Sequence, residues 1–169
     1  MFNRILVALD RTAEAALGLP LAATLAQGRV AQIILVQVSA NYHEDSPPFT
    51  AARDYLAACA AGLAAHGLHV AVEVRYGDVA EQIVAAARQH EADVILLTTH
   101  GRHGVARAWY GSVAEAVVAG SPVPVLVLRT GETLPGRSQP LLVPQDDSPA
   151  SAAALALARG VALVPGATL

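Results

Sequence analysis

Between Thr98 and Val113 the chain reads Thr-Thr-His-Gly-Arg-His-Gly-Val-Ala-Arg-Ala-Trp-Tyr-Gly-Ser-Val. Glycines at 101, 104 and 111 let a ligand approach main-chain N–H groups without meeting a side chain. The aliphatic run Val94–Leu97 predicts a buried strand ahead of this stretch, and Ser112–Ala119 predicts a helix behind it. A glycine loop between a strand and a helix N-terminus suits anions, because unpaired amides and the positive end of the helix dipole converge there. The plainer use of such glycines is tight turning, and a few glycines alone do not separate the two uses. Asp10, which ends the run Ile5–Leu9, is the second candidate. Its carboxylate stands at the carboxyl end of a strand and can cap the helix that comes next. Ser112 can serve as the N-cap of the helix behind the glycine loop.

The other polar residues carry less. His100, Arg102, His103 and Arg107 sit in or beside the glycine loop, where they could face terminal phosphates, although exposed loop side chains more often do nothing specific. His43, His66, His69 and His90 are scattered without metal-ligand spacing and read as surface residues. There is no G-x-S-x-G elbow, no Walker A lysine and no carboxylate pair that spacing brings together, so binding rather than catalysis is expected. Cys59 is the single cysteine, which excludes an intrachain disulfide and reads as a small buried helix residue. A net charge of -3 without a Lys/Arg cluster disfavours nucleic acid as a partner. The apolar stretch Ala150–Leu169 is broken by Arg159 and Pro165, and the N-terminal apolar run is too short for a signal-peptide core. A soluble, cytoplasmic protein with no membrane partner is therefore expected.

The elements that must position these candidates alternate between strand and helix. Ile5–Leu9 predicts a strand, Thr12–Gln27 a helix stopped by Gly28, and Ile33–Val38 a second buried strand. A polar loop, 39–48, leads to a helix over Phe49–Ala65 that Gly67 ends. Val70–Arg75 alternates like a strand near a sheet edge, and Asp78 can cap a helix that runs to Gln89. Val94–Leu97, the most apolar run, should lie centrally, and Pro122–Leu128 supplies a fifth strand. Strands alternating with helices require parallel pairing and right-handed crossovers, hence an α/β fold with an open, doubly wound, five-stranded parallel sheet of Rossmann-like type. In such sheets the ligand sits beyond the carboxyl ends of the strands where strand order reverses, which points at Asp10, Val38 and the Thr98 loop.

A turn-rich segment, 131–139, reads as a linker after a domain spanning 1–130. Beyond it the chain repeats its own beginning: Pro140-Leu-Leu-Val-Pro-Gln-Asp-Asp-Ser148 matches Arg4-Ile-Leu-Val-Ala-Leu-Asp-Arg-Thr12, and an Ala/Leu helix comes after both. Residues 140–169 thus read as a partial second repeat, one strand and one helix. Such a fragment cannot bury its own apolar face, so it must pack on the first domain, pair with another chain, or stay partly disordered.

Gly101, the nine residues Arg102 to Tyr110, and Gly111-Ser112 reproduce most of G-x2-G-x9-G-[ST], and on that motif the chain resembles the ATP-binding branch of the universal stress proteins. The first glycine of the pattern is Thr98, which keeps its backbone and adds a hydroxyl. Ile5–Asp10 resembles the family's opening strand, with Ala8 where a proline is usual, and Pro144 restores that proline in the repeat. The resemblance implies a strand order of 3-2-1-4-5. It implies a nucleotide site made of Ala8, Leu9, Asp10, Val38, Leu97, Thr98, Gly101, Arg102, Gly104, Gly111, Ser112 and Val113. It implies ATP as the ligand, with magnesium carried near Asp10, and a homodimer joined through the fifth strand, Val123 to Leu128. The expected role is a stress-linked regulatory or sensing module; the alternatives are an interaction protein of the same fold that binds no nucleotide, and a weak ATPase.

Overall fold

The computed structural model describes residues 2–28, 30–39, 46–99, 111–129, 143, 146 and 148–162. Five strands form one parallel sheet: β1 Arg4–Ala8, β2 Gln32–Ser39, β3 His69–Tyr76, β4 Val94–Thr99 and β5 Val125–Arg129. Their order is β3-β2-β1-β4-β5, as the resemblance implies. Between them run α1 Ala13–Ala16, α2 Gly18–Ala26, α3 Pro47–Ala64, α4 Val79–Gln89 and α5 Ser112–Gly120, with α6 Pro149–Ala162 last.

Alternation along the strands divides the core between two faces. Ile5, Val7, Ile33, Leu35, Val94 and Leu96 project to the face covered by α1, α2 and α3, where Leu157 and Val161 of α6 also pack. Leu6, Ile34, Val36, Ile95 and Leu97 project to the other face, under α4 and α5. Burial on both sides is why β1, β2 and β4 read as unbroken aliphatic runs. Removing each large aliphatic side chain from water stabilises the fold by roughly 1.5–3 kcal/mol. β3 lies at the sheet edge, in line with its mixed pattern, and β4 pairs on both sides.

The structure departs from the sequence reading where prolines intervene. The helix expected over Thr12–Gln27 is two helices with a turn at Leu17. Pro20 has no N–H to give the Ala16 carbonyl, so the first helix stops and a second restarts at Gly18, placing the proline in a first turn where no donor is needed. α3 begins two residues earlier than expected, at Pro47, for the same reason. β5 begins at Val125 rather than Pro122, since Pro122 and Pro124 cannot donate to a ladder; the Pro124 carbonyl still accepts from Ile95 N–H at 3.0 Å. Cys59 is partly buried rather than fully buried. The linker 131–139 lies outside the described residues.

Candidate functional site

The strand order turns back between β1 and β4, and a cavity of about 650 Å³ opens there at the carboxyl ends of the strands. That volume falls within the range of sites for drug-sized ligands. Its floor comes from β1, β2 and β4, and around it stand the first two turns of α4, the start of α5 and Ala15 of α1.

Nine of the expected residues border the cavity: Ala8, Leu9, Asp10, Val38, Leu97, Thr98, Gly111, Ser112 and Val113. The other three, Gly101, Arg102 and Gly104, lie outside the described residues. Sequence reasoning missed Ala15, Val36, Val79, Ile83, Thr99 and Ala114, which also line it. Val36 and Thr99 were within reach, because each stands two residues from an expected site residue and strand alternation puts it on the same face. Val79 and Ile83 carry no such signal; the packing of α4 over β2 and β3 alone brings them in.

Asp10 comes after β1, which Leu9 prolongs by donating its N–H to the Val36 carbonyl at 2.8 Å. Its carboxylate is not the cap of the next helix. Thr12 is the N-cap of α1, its Oγ1 accepting from Ala15 N–H at 3.1 Å. Asp10 Oδ1 in turn accepts from Thr12 N–H at 3.0 Å and from Thr12 Oγ1 at 2.5 Å. Asp10 Oδ2 has no hydrogen-bond partner among the described residues.

On the opposite wall, Gly111 is the N-cap of α5, with φ of 78°, a left-handed value that suits glycine. Ser112 is therefore not the cap but the first helical residue, exposed at the rim. Among the described residues no side chain caps this helix start, so its first-turn amides are available to an acidic group in the cavity. Thr98, like Ala15 of α1, borders the cavity. Its side chain shares a face with Leu96, and Oγ1 lies 3.5 Å from the Ala15 carbonyl of α1. Its neighbour Thr99 is buried on the cavity face, and its Oγ1 has no hydrogen-bond partner among the described residues.

Supports extend behind the walls. Asp78 caps α4 by accepting from Glu81 N–H at 2.9 Å, as its position predicted. Farther along, Glu73 Oε1 accepts from Arg75 Nε at 2.9 Å and Glu73 Oε2 lies 2.7 Å from His90 Nε2, tying β3 to the end of α4. On the far face, burial pushes the Tyr55 phenol up to about 12, with the Cys59 thiol and the Asp10 carboxylate adding to the shift. The Tyr55 hydroxyl is itself buried and makes no hydrogen bond of ordinary geometry, so desolvation is the cause that matters.

The family model for the universal stress protein family matches residues 1–129. The chain belongs to that family. Among solved structures, the universal stress protein domain is similar to the protein MJ0577, with a TM-score of 0.68 and 23% identity over 79% of this chain and 99% of that one. It is similar to the universal stress protein UspA from Lactobacillus plantarum, with a TM-score of 0.63 and 25% identity over 75% and 97% of the two chains. A third is the universal stress protein from Archaeoglobus fulgidus in complex with dAMP, with a TM-score of 0.59 and 21% identity over 73% and 95%. A sequence comparison with curated proteins gives no match. Among the described residues of this universal stress protein, no helix is long and apolar enough to cross a membrane, and no group of three or more His, Cys, Asp or Glu side chains could hold a metal ion.

Proposed function

We propose that this universal stress protein binds ATP in the cavity between β1 and β4 and acts as a regulatory sensor of adenine nucleotide rather than as an enzyme. One observation carries the reading: the same cavity is bordered both by a carboxylate with an unengaged oxygen, Asp10, and by a helix start with no side-chain cap, Gly111-Ser112. The helix start suits phosphate, the carboxylate suits nucleotide hydroxyls, and Val36, Val38 and Ile83 supply an apolar bed for a base. Relatives of this fold have been solved with dAMP, cAMP and AMP, which supports an adenine nucleotide as the ligand class. Magnesium enters this reading only with the nucleotide, held by its phosphates beside Asp10.

Isothermal titration of the purified full chain with Mg-ATP tests the proposal. Saturable heat and a thermal upshift are expected. No heat and no shift at about millimolar nucleotide, an affinity weaker than roughly 4 kcal/mol, would remove it.

Two further parts of the reading concern the rest of the chain. Residues 140–169 are read as an incomplete second copy of the domain. In support, Ser148 N–H donates to Asp146 Oδ1 at 3.1 Å and Ser148 Oγ accepts from Ser151 N–H at 3.1 Å. These are the bonds that Asp10, Thr12 and Ala15 make ahead of α1. A homodimer through β5 is proposed because, among the described residues, that strand pairs with β4 alone and ends the sheet. Val125 belongs to the core under α5, whereas Val127 is in neither core cluster, so Val127→Lys is the cleaner probe. Elution as a monomer is expected; unchanged elution from a dimer would remove β5 as the interface.

A further inference from the structure

The cavity accounts for Asp10 but leaves open what aims its carboxylate. Asp10 is exposed at a chain end of the sheet, where a side chain with two free torsions ordinarily samples several rotamers. Here Oδ1 is taken by both donors of one residue, the N–H and the hydroxyl of Thr12. The same hydroxyl accepts from Ala15 N–H, so it is held in turn by the first turn of α1. Between them Arg11 occupies the left-handed region at φ of 67°, which a residue other than glycine adopts only when its neighbours hold it there. With Oδ1 engaged, Oδ2 is the oxygen left to a ligand.

We propose that Thr12 is a positioning residue for nucleotide binding: its hydroxyl links the α1 N-cap to the Asp10 carboxylate and fixes which carboxylate oxygen meets the ligand. This rests on the nucleotide reading of the cavity. Asp146 and Ser148 make the corresponding bonds although Asp146 does not border the cavity, so the bonds form from local sequence alone. What differs at Asp10 is the cavity beside it. A residue that merely caps a helix would change stability and leave affinity alone; a residue that aims Asp10 changes affinity, and only while Asp10 is present.

A double-mutant cycle on the full chain separates these cases. Thr12→Val keeps the shape and the backbone N–H but removes the hydroxyl, and Thr12→Ser restores it. With Mg-ATP as the titrant, Thr12→Val is expected to weaken binding on the order of tenfold, the size of one lost hydrogen bond to a charged group. Thr12→Ser should bind like the parent. In an Asp10→Ala background, Thr12→Val should bring no further loss. Thermal melts of every variant report the capping effect separately and show that each is folded. Equal affinity of Thr12→Val and the parent, or an equal loss with and without Asp10, overturns the positioning role while the nucleotide reading stands. If the parent itself binds no ATP, both fall together.

Discussion

Replacing Gly18 by alanine should destabilise the protein although alanine is the better helix former. Gly18 is the first residue of α2, and a β-carbon built on it would lie 2.5 Å from Leu96 Cδ2, 3.3 Å from Thr98 Oγ1 and 3.7 Å from Val7 Cγ1. Carbon atoms in good contact sit about 3.5–4.0 Å apart, so Leu96 would have to retreat by roughly 1 Å. It has nowhere to go, because Leu96 and Val7 are both fully buried in the same cluster. Helix propensity favours alanine by at most about 1 kcal/mol, less at a helix start, while overpacking a tight core costs about 1–3 kcal/mol. The net expectation is a loss of about 1–2 kcal/mol, or roughly 3–6 °C in Tm for a chain of this size. The strain falls on β4 just before Thr99 and the cavity, so ATP affinity should fall as well. Urea unfolding followed by far-ultraviolet circular dichroism gives the stability directly. A Gly18→Ala protein at least as stable as the parent would refute the claim that Leu96 leaves no room for a β-carbon at position 18.

Three other outcomes are expected from particular residues. Tyr55 is held neutral by burial, with its pKa raised from 10.0 to about 12. A raised folded-state value means the stabilisation is full below pH 10 and is lost as pH climbs from 10 towards 12; absorbance titration near 295 nm should show one tyrosine ionising late, and Tyr55→Phe should abolish that late step. Thr99→Val removes a buried hydroxyl that has no partner among the described residues, so it should leave stability unchanged or raise it by up to about 1 kcal/mol, and a loss above that in urea unfolding would show the hydroxyl is satisfied. Asp78→Ala deletes the side-chain cap of α4 and should cost about 1 kcal/mol, with a weaker ATP affinity because that helix start carries Val79 to the cavity wall; unchanged unfolding would show that the cap contributes nothing.

The legible parts of the sequence were those where one local rule dominates. Unbroken aliphatic runs marked β1, β2 and β4, and their alternation with helical segments dictated parallel pairing, while the strand order and its reversal point came from the family resemblance. Asp78 announced its helix because a short acidic side chain before an amphipathic run has one natural use. Pro20 was passed over inside an Ala/Leu pattern that looked continuous, and the break it forces gives α1 a separate four-residue identity. Thr98 could be read as a residue of the cavity border, but the approach of its hydroxyl to the Ala15 carbonyl could not, because that contact depends on where α1 packs against β4. Val79 and Ile83 stood on no motif at all, and only the packing of α4 over the sheet makes them walls.

The cavity therefore has two sides of different origin. One is written locally: Thr12 donates its N–H and its hydroxyl to the Asp10 carboxylate, and the N–H bond recurs between Ser148 and Asp146, so a short local sequence suffices to specify it. The other, the start of α5, has Gly111 as its N-cap and no side-chain cap among the described residues, so its first-turn amides can donate to a group in the cavity. A glycine at the N-cap gives up only roughly a few tenths of a kcal/mol relative to serine or aspartate, so leaving this start without a side-chain cap costs the fold little. The other helix start on the cavity wall, that of α4, has its cap in Asp78, so of the two it is α5 whose first-turn amides remain for a ligand to engage.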